Sequence, residues 1–204
     1  MVRWEPGTAE RLQKAALELF ATRGFEQTTA TDIAQTVGLT ERTFFRHFSD
    51  KREVLFYGQN FFVQAFLAGV DTAPPSASPI EVIVCALRSA TSLFPNERRS
   101  HSRTRQSVID QNPALQEREL HKFSSLAATL ADTLRARGVD EPAATLAARS
   151  GITVFAVAFT QWIREGEQRP LADIAEAVLH ELVTLIGGYA AGAAAPAVSS
   201  VSPA

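Results

Sequence analysis

Between Glu41 and Phe48 the chain reads Glu-Arg-Thr-Phe-Phe-Arg-His-Phe. Phe44 and Phe48 stand four positions apart, so on a helix they share one face and can turn inward together. The outer face is then Arg42, Thr43, Phe45, Arg46 and His47. The chemistry of such a face is recognition of a DNA major groove: arginine donates bidentately to guanine, and threonine reaches a phosphate or a thymine methyl. Arg46 is the first choice for a base contact. Phe45 is an aromatic on an otherwise polar face, which contact with a thymine methyl or a sugar would explain. Lys51 comes next, in what reads as the first turn of another helix, where the dipole disfavours a cation by about 0.3–1 kcal/mol. A phosphate landing on that helix start would reverse the sign, with lysine and backbone N–H groups binding it together. A merely solvated lysine is the alternative.

Enzymatic chemistry finds little support. His47, His101, His121 and His180 are scattered, and no Gly-x-Ser-x-Gly, P-loop or metal-ligand spacing occurs. The one cysteine, Cys85, lies in the apolar run Val82-Ile-Val-Cys-Ala-Leu87 and reads as buried and inert. No catalytic residue, metal or cofactor is therefore expected, and a reduced, cytoplasmic setting is. Arg3, Glu5, Glu10, Arg11, Lys14 and Glu18 break any signal-peptide core, and no apolar run approaches the length of a bilayer span. Net charge is −2, and the first 60 residues carry eight acidic and eight basic side chains, so a basic DNA footprint has to be local. A helical protein-interaction adaptor is the remaining competitor; it would not require a basic face beside a phosphate-ready helix start.

The elements that must hold this face are helices. One is expected from Thr8, as N-cap, to Arg23, stopped by Gly24, with Leu12, Ala15, Ala16, Leu19 and Phe20 as its stripe. Thr29, with Asp32 three residues on, caps a second; Gly38 turns the chain; Thr40 caps the third. Small Ala34 allows the second and third helices to cross closely. A longer fourth helix is expected from Asp50, with Glu53 as the reciprocal capping partner. The Pro/Ser-rich stretch 71–79 separates two units. Five more helices are expected at about 80–94, 96–110, 114–137, 142–165 and 171–186. The fold class is all-α: a three-helix helix-turn-helix unit over 8–66, a larger helical unit over 80–187, and a disordered Ala/Gly/Ser/Pro-rich tail over 188–204.

Residues 8–66 resemble the N-terminal domain of the TetR family of transcriptional regulators. The resemblance is carried in order by Leu17-Glu-Leu-Phe-Ala-Thr-Arg-Gly-Phe25, Thr28-Thr29, Asp32-Ile-Ala34, Val37-Gly-Leu-Thr40, Thr43-Phe-Phe-Arg-His-Phe48 and Lys51-Arg-Glu-Val-Leu55. It implies DNA contacts from Thr29, Thr31, Thr40, Arg42, Thr43, Phe45, Arg46, His47 and Lys51. Two positions depart from the family's habit: Arg42 stands where glycine is frequent and Phe45 where tyrosine is. The lost tyrosine hydroxyl removes a phosphate contact that Arg42 could restore.

Beyond residue 70 the resemblance is architectural, and implies a helical domain for dimerisation and ligand sensing. The helices there look like those of actinobacterial regulators for which acyl-CoA-type effectors have been proposed. The stripes Ile152, Phe155, Ala156, Phe159, Ile163 and Val178, Leu179, Leu182, Val183, Ile186 suit a four-helix bundle between two subunits, with intrachain core as the alternative. Candidates for a largely apolar pocket are Phe94, Val108, Phe123, Leu126, Leu130, Phe155, Phe159 and Trp162, although each reads first as core. The run Glu97–Arg105 holds four arginines and a histidine in nine residues. It reads as a solvated helix face or, with Arg105, as a mouth for an anionic effector such as a carboxylate or acyl-CoA. The expected partners are double-stranded DNA, a second copy of the chain and a small-molecule effector, with no membrane.

Overall fold

The computed structural model describes residues 7–193, with side chains through Gly187. The described elements are nine α-helices and two 3-10 turns, and no strand occurs among them. The helices are α1 Thr8–Arg23, α2 Ala30–Thr36, α3 Glu41–His47, α4 Gln59–Thr72, α5 Pro79–Thr91, α6 Arg99–Asp110, α7 Pro113–Ala136, α8 Ala143–Trp162 and α9 Leu171–Ala193.

Each start has a local cause. Glu10 reaches back to the Gly7 amide, which makes Gly7 and not Thr8 the N-cap of α1. Thr29 and Asp32 form a reciprocal box at α2, and Ser78 and Glu81 form another at α5, where Pro79 occupies the first helical position. Thr40 accepts from the Thr43 amide at α3. Gly38, at φ 71°, makes the left-handed turn between α2 and α3.

The expected long helix from Asp50 is broken in two. Asp50 does accept from the amides of Arg52 and Glu53, but the backbone then tightens into a 3-10 turn, Glu53–Phe56. Gly58, at φ 93°, interrupts it again before α4 begins at Gln59. Glu53 returns nothing to Asp50; its carboxylate is held by Arg118 and Lys122 of α7. At the other end α9 continues to Ala193, past the expected stop; the alanines there favour helix and no proline comes before 196, despite Gly187, Gly188 and Gly192. The rest of the expected tail, 194–204, lies outside the described residues.

Two cores result. The first gathers Leu12, Ala16, Phe20, Ile33, Phe44, Phe48 and Leu55, and is completed by Val108, Ile109 and Leu115 from α6 and α7. The second runs through α4, α5, α7, α8 and α9, beginning at Phe62. The change of core thus falls between Tyr57 and Phe62, before the proline-rich stretch. Gly69 allows α4 and α5 to touch, since a Cβ there would lie 2.5 Å from the Cys85 carbonyl oxygen.

The second core corrects several expectations. Phe62, Phe66, Phe94, Phe123, Phe155, Phe159 and Trp162 pack ring against ring, with centroids 4.8–6.4 Å apart where they meet. The candidate pocket aromatics thus pack as core, the reading first expected of them, and Leu130 is fully buried among them. Val108 sits in the other core altogether, beneath α1. Ile152 is 7 % exposed and faces its own subunit. By length and composition α8 could span a bilayer, contrary to expectation, but it packs between α5, α7 and α9. Its apolarity is explained by that central position.

The arginine run is exposed at Glu97, Arg98, Ser100, His101 and Arg103, yet Arg99, Arg103 and Arg105 are each tied to backbone carbonyls. Arg103 donates to the carbonyls of Ile163 (2.7 Å) and Arg164 (3.0 Å), closing the open end of α8. Arg99 is buried against Trp162 and donates to the carbonyls of Glu167 and Arg169. Arg105 crosses to the N-terminal unit, donating to the Leu55 carbonyl at 2.9 Å and to Glu119 at 3.1 Å.

Candidate nucleic-acid interface

The N-terminal unit holds α3 by its apolar side. Phe44 is fully buried and Phe48 nearly so, their ring centroids 5.3 Å apart. Arg11 of α1 donates to the Val37 carbonyl at 2.7 Å, fixing the turn that aims α3. Thr28 is completely buried, its hydroxyl on the Gly24 carbonyl at 2.8 Å. Neither tie was visible as a spacing, because each joins a side chain to a distant or irregular stretch of backbone.

The opposite side of α3 is open. Arg42, Phe45, Arg46 and His47 are all exposed, Phe45 by 49 %, its ring standing edge-on to Phe44. No protein acceptor takes the guanidinium of Arg42 or Arg46 among the described residues. An aromatic half in water beside two such arginines is a surface shaped for a ligand with apolar and anionic parts, and a DNA groove has both.

The threonines divide by where their hydroxyl hydrogens go. Thr29 donates to Asp32 at 2.6 Å and Thr31 donates to Glu41 at 2.8 Å, so both donors are committed inside the unit. The Thr40 and Thr43 hydroxyls lie 3.1 Å apart and share a single hydrogen bond, which leaves one hydrogen for an outside acceptor. The bond to Thr29 holds the Asp32 carboxyl below its ordinary range. Lys51 is not in a helical first turn. It lies ahead of the 3-10 turn, its ammonium 2.7 Å from the Phe25 carbonyl and over the Phe25 ring. One N–H is thereby taken and two remain.

With that geometry in view, comparison with known proteins decides the family. The model described as bacterial regulatory proteins, tetR family, matches residues 12–57, and the model of the MftR C-terminal domain matches residues 77–187. The chain belongs to the TetR family. It is a transcriptional regulator with a helix-turn-helix DNA-binding domain at its N-terminal end. HTH-type transcriptional regulator TcmR of Streptomyces glaucescens is 39 % identical over 82 residues, which are 40 % of this chain and 36 % of that protein. The match spans little more than a third of that relative's length.

Solved structures share the fold of this TetR-family chain. Thermus thermophilus FadR, a TetR-family repressor in complex with lauroyl-CoA, is 21 % identical, with 96 % of this chain and 100 % of that one covered at a TM-score of 0.53. A putative TetR-family regulator from Syntrophomonas wolfei is 16 % identical, covering 94 % and 97 %, at a TM-score of 0.61. The fatty acid degradation regulator FadR of Bacillus halodurans is 15 % identical, covering 89 % and 96 %, at 0.57.

Proposed function

We propose that this TetR-family regulator is a repressor that binds a near-palindromic operator as a homodimer in the cytoplasm and is released by a small-molecule effector. The observation that carries the reading is the exposed quartet Arg42, Phe45, Arg46 and His47 on a helix locked from behind by Phe44 and Phe48. Arg46 reads a base, Phe45 lies against a thymine methyl or sugar, and Arg42, His47, Lys51 and the free hydroxyl of the Thr40–Thr43 pair hold phosphates. Thr31 contributes its backbone N–H in the first turn of α2, since its hydroxyl is engaged by Glu41, whereas Thr29 has both hydroxyl and N–H committed to Asp32 and acts by holding that turn.

The dimer forms through α8 and α9. Val157, Val183 and Ile186 are 50–61 % exposed, a large apolar exposure on two adjacent helices. Ala156, Ile163, Val178, Leu179 and Leu182 are half-buried beside them, and a second copy's α8 and α9 would complete a four-helix bundle. DNA-binding function is carried by the unit over 8–57 and effector sensing by the helices from α4 onward. The fold shared with a lauroyl-CoA-bound repressor supports an effector with an acidic group and an apolar part.

DNase footprinting on the DNA upstream of the regulator's own gene tests this reading. Two protected half-sites centred roughly 34–36 Å apart, about one helical turn, are expected. A single unpaired footprint would contradict the dimer, and no protection at any concentration would contradict the operator.

A further inference from the structure

The contact between the two units converges on one carboxylate. Arg118 Nε donates to Glu53 Oε1 at 2.6 Å and Lys122 Nζ to Oε2 at 3.1 Å. Glu53 opens the 3-10 turn that joins the DNA-binding helices to α4. The same Lys122 ammonium lies 5.3 Å from the Phe56 ring centroid, in that turn.

Both cations also line a cleft of about 210 Å³ between α4 and α7. Val63 and Leu126 give it an apolar side, and Gln59, His121, Ser125 and Thr129 complete the lining. The hydroxyls of Ser125 and Thr129 donate to the His121 and Ser125 carbonyls. The donors left for an incoming molecule are therefore the Gln59 side-chain amide, the His121 ring N–H, the Arg118 Nη groups and the remaining Lys122 N–H groups, which have no protein acceptor among the described residues.

We propose that this cleft binds a small organic acid, whose carboxylate competes with Glu53 for Arg118 and Lys122 and so loosens the hold of α7 on the DNA-binding unit. The inference deepens the effector response proposed above and rests on it. The two cations already seat one carboxylate, so their geometry suits another, and Val63 and Leu126 offer an apolar side for the rest of the molecule. The volume falls below the roughly 300–1,000 Å³ of drug-sized pockets, which favours a compact acid. Drawing Lys122 into the cleft weakens its contacts with both Glu53 and Phe56, and both belong to the joining segment.

The test uses benzoate as probe and benzyl alcohol as neutral control, titrated calorimetrically into the full chain at constant ionic strength. Benzoate should bind the wild type in preference to benzyl alcohol. Glu53→Gln, which removes the internal competitor, should tighten benzoate binding by about tenfold, and Lys122→Met should weaken it by about tenfold. A merely structural ion pair would not give opposite signs. Circular dichroism verifies folding of each variant, and Arg118→Gln replaces Lys122→Met if the latter does not fold. Hydrogen exchange should show faster exchange at residues 53–57 on adding benzoate. Benzoate binding no tighter than benzyl alcohol, a Glu53→Gln affinity unchanged or reduced, or unaltered exchange at 53–57 would each overturn the proposal. No DNA enters these measurements, so their failure leaves the operator reading standing, and failure of the footprint leaves them readable.

Discussion

Arg46 and Phe44 sit two positions apart on α3 and do opposite work, one facing solvent and the other filling the core. Arg46→Ala should leave the melting temperature nearly unchanged while costing about 1–3 kcal/mol of operator affinity and relaxing sequence preference. Melting curves beside operator titrations check both halves of that statement. The outward set Arg42, Phe45, Arg46 and His47 was legible in the sequence because the four-residue spacing of Phe44 and Phe48 dictates which side faces out. The partners of Lys51 and Arg105 were not. Each reaches a backbone carbonyl, Phe25 and Leu55 respectively, and a carbonyl is the same at every position of a sequence.

Among the elements, caps and close crossings set the boundaries. Thr40 begins a helix of only seven residues, so its cap is a large share of what holds α3 in place. Thr40→Ala should cost about 1 kcal/mol of stability, measurable in urea. Gly69→Ala should be worse: the new Cβ would press on the Cys85 carbonyl and on Ala86 backbone, which cannot rotate away. A loss of about 1–3 kcal/mol is expected. At roughly 2–4 °C per kcal/mol for a chain of this size, calorimetry would resolve it. Helix existence came from apolar period and from Ser, Thr, Gly and Pro punctuation, and α5 to α8 lie close to where those signals put them. The break between Glu53 and Gln59 was hidden, because Leu55, Phe56, Phe62 and Phe66 keep a helical period across it. Only Gly58 marks it, and a lone glycine is tolerated within many helices.

In the whole molecule, the two units hold each other through charge as well as packing. Burial pushes the Glu53 carboxyl upward, but hydrogen bonds from Arg118 and then Lys122 outweigh it and leave the group below its ordinary value of 4.5. A carboxyl depressed on folding stabilises the native state above its unfolded value, and that contribution is lost as pH falls through the folded value. Glu53→Gln should therefore lower the melting temperature at pH 7, by about 1.5–3 kcal/mol in stability. The gap between variant and wild type should narrow as pH drops below about 4.5. The exposed α8–α9 surface belongs here as well. Val157→Glu places a charge where the proposed partner packs, and should shift sedimentation from dimer to monomer without unfolding the chain. The joining ion pairs escaped sequence reading because Glu53 lies 65 and 69 residues from Arg118 and Lys122. For the aromatic cluster the sequence left only the choice between cavity and core open: periodicity names the buried face, and both a cavity lining and a packed core are made of the same residues.

Whether α3 reads DNA is decided by fluorescence anisotropy on the regulator's own upstream DNA and on scrambled DNA, across a range of salt, for the wild type and Arg46→Ala. Tight binding to the native DNA that weakens as salt rises, and that Arg46→Ala reduces, is the expected result. Equal affinity of wild type and variant for both DNAs would contradict α3 as the reader.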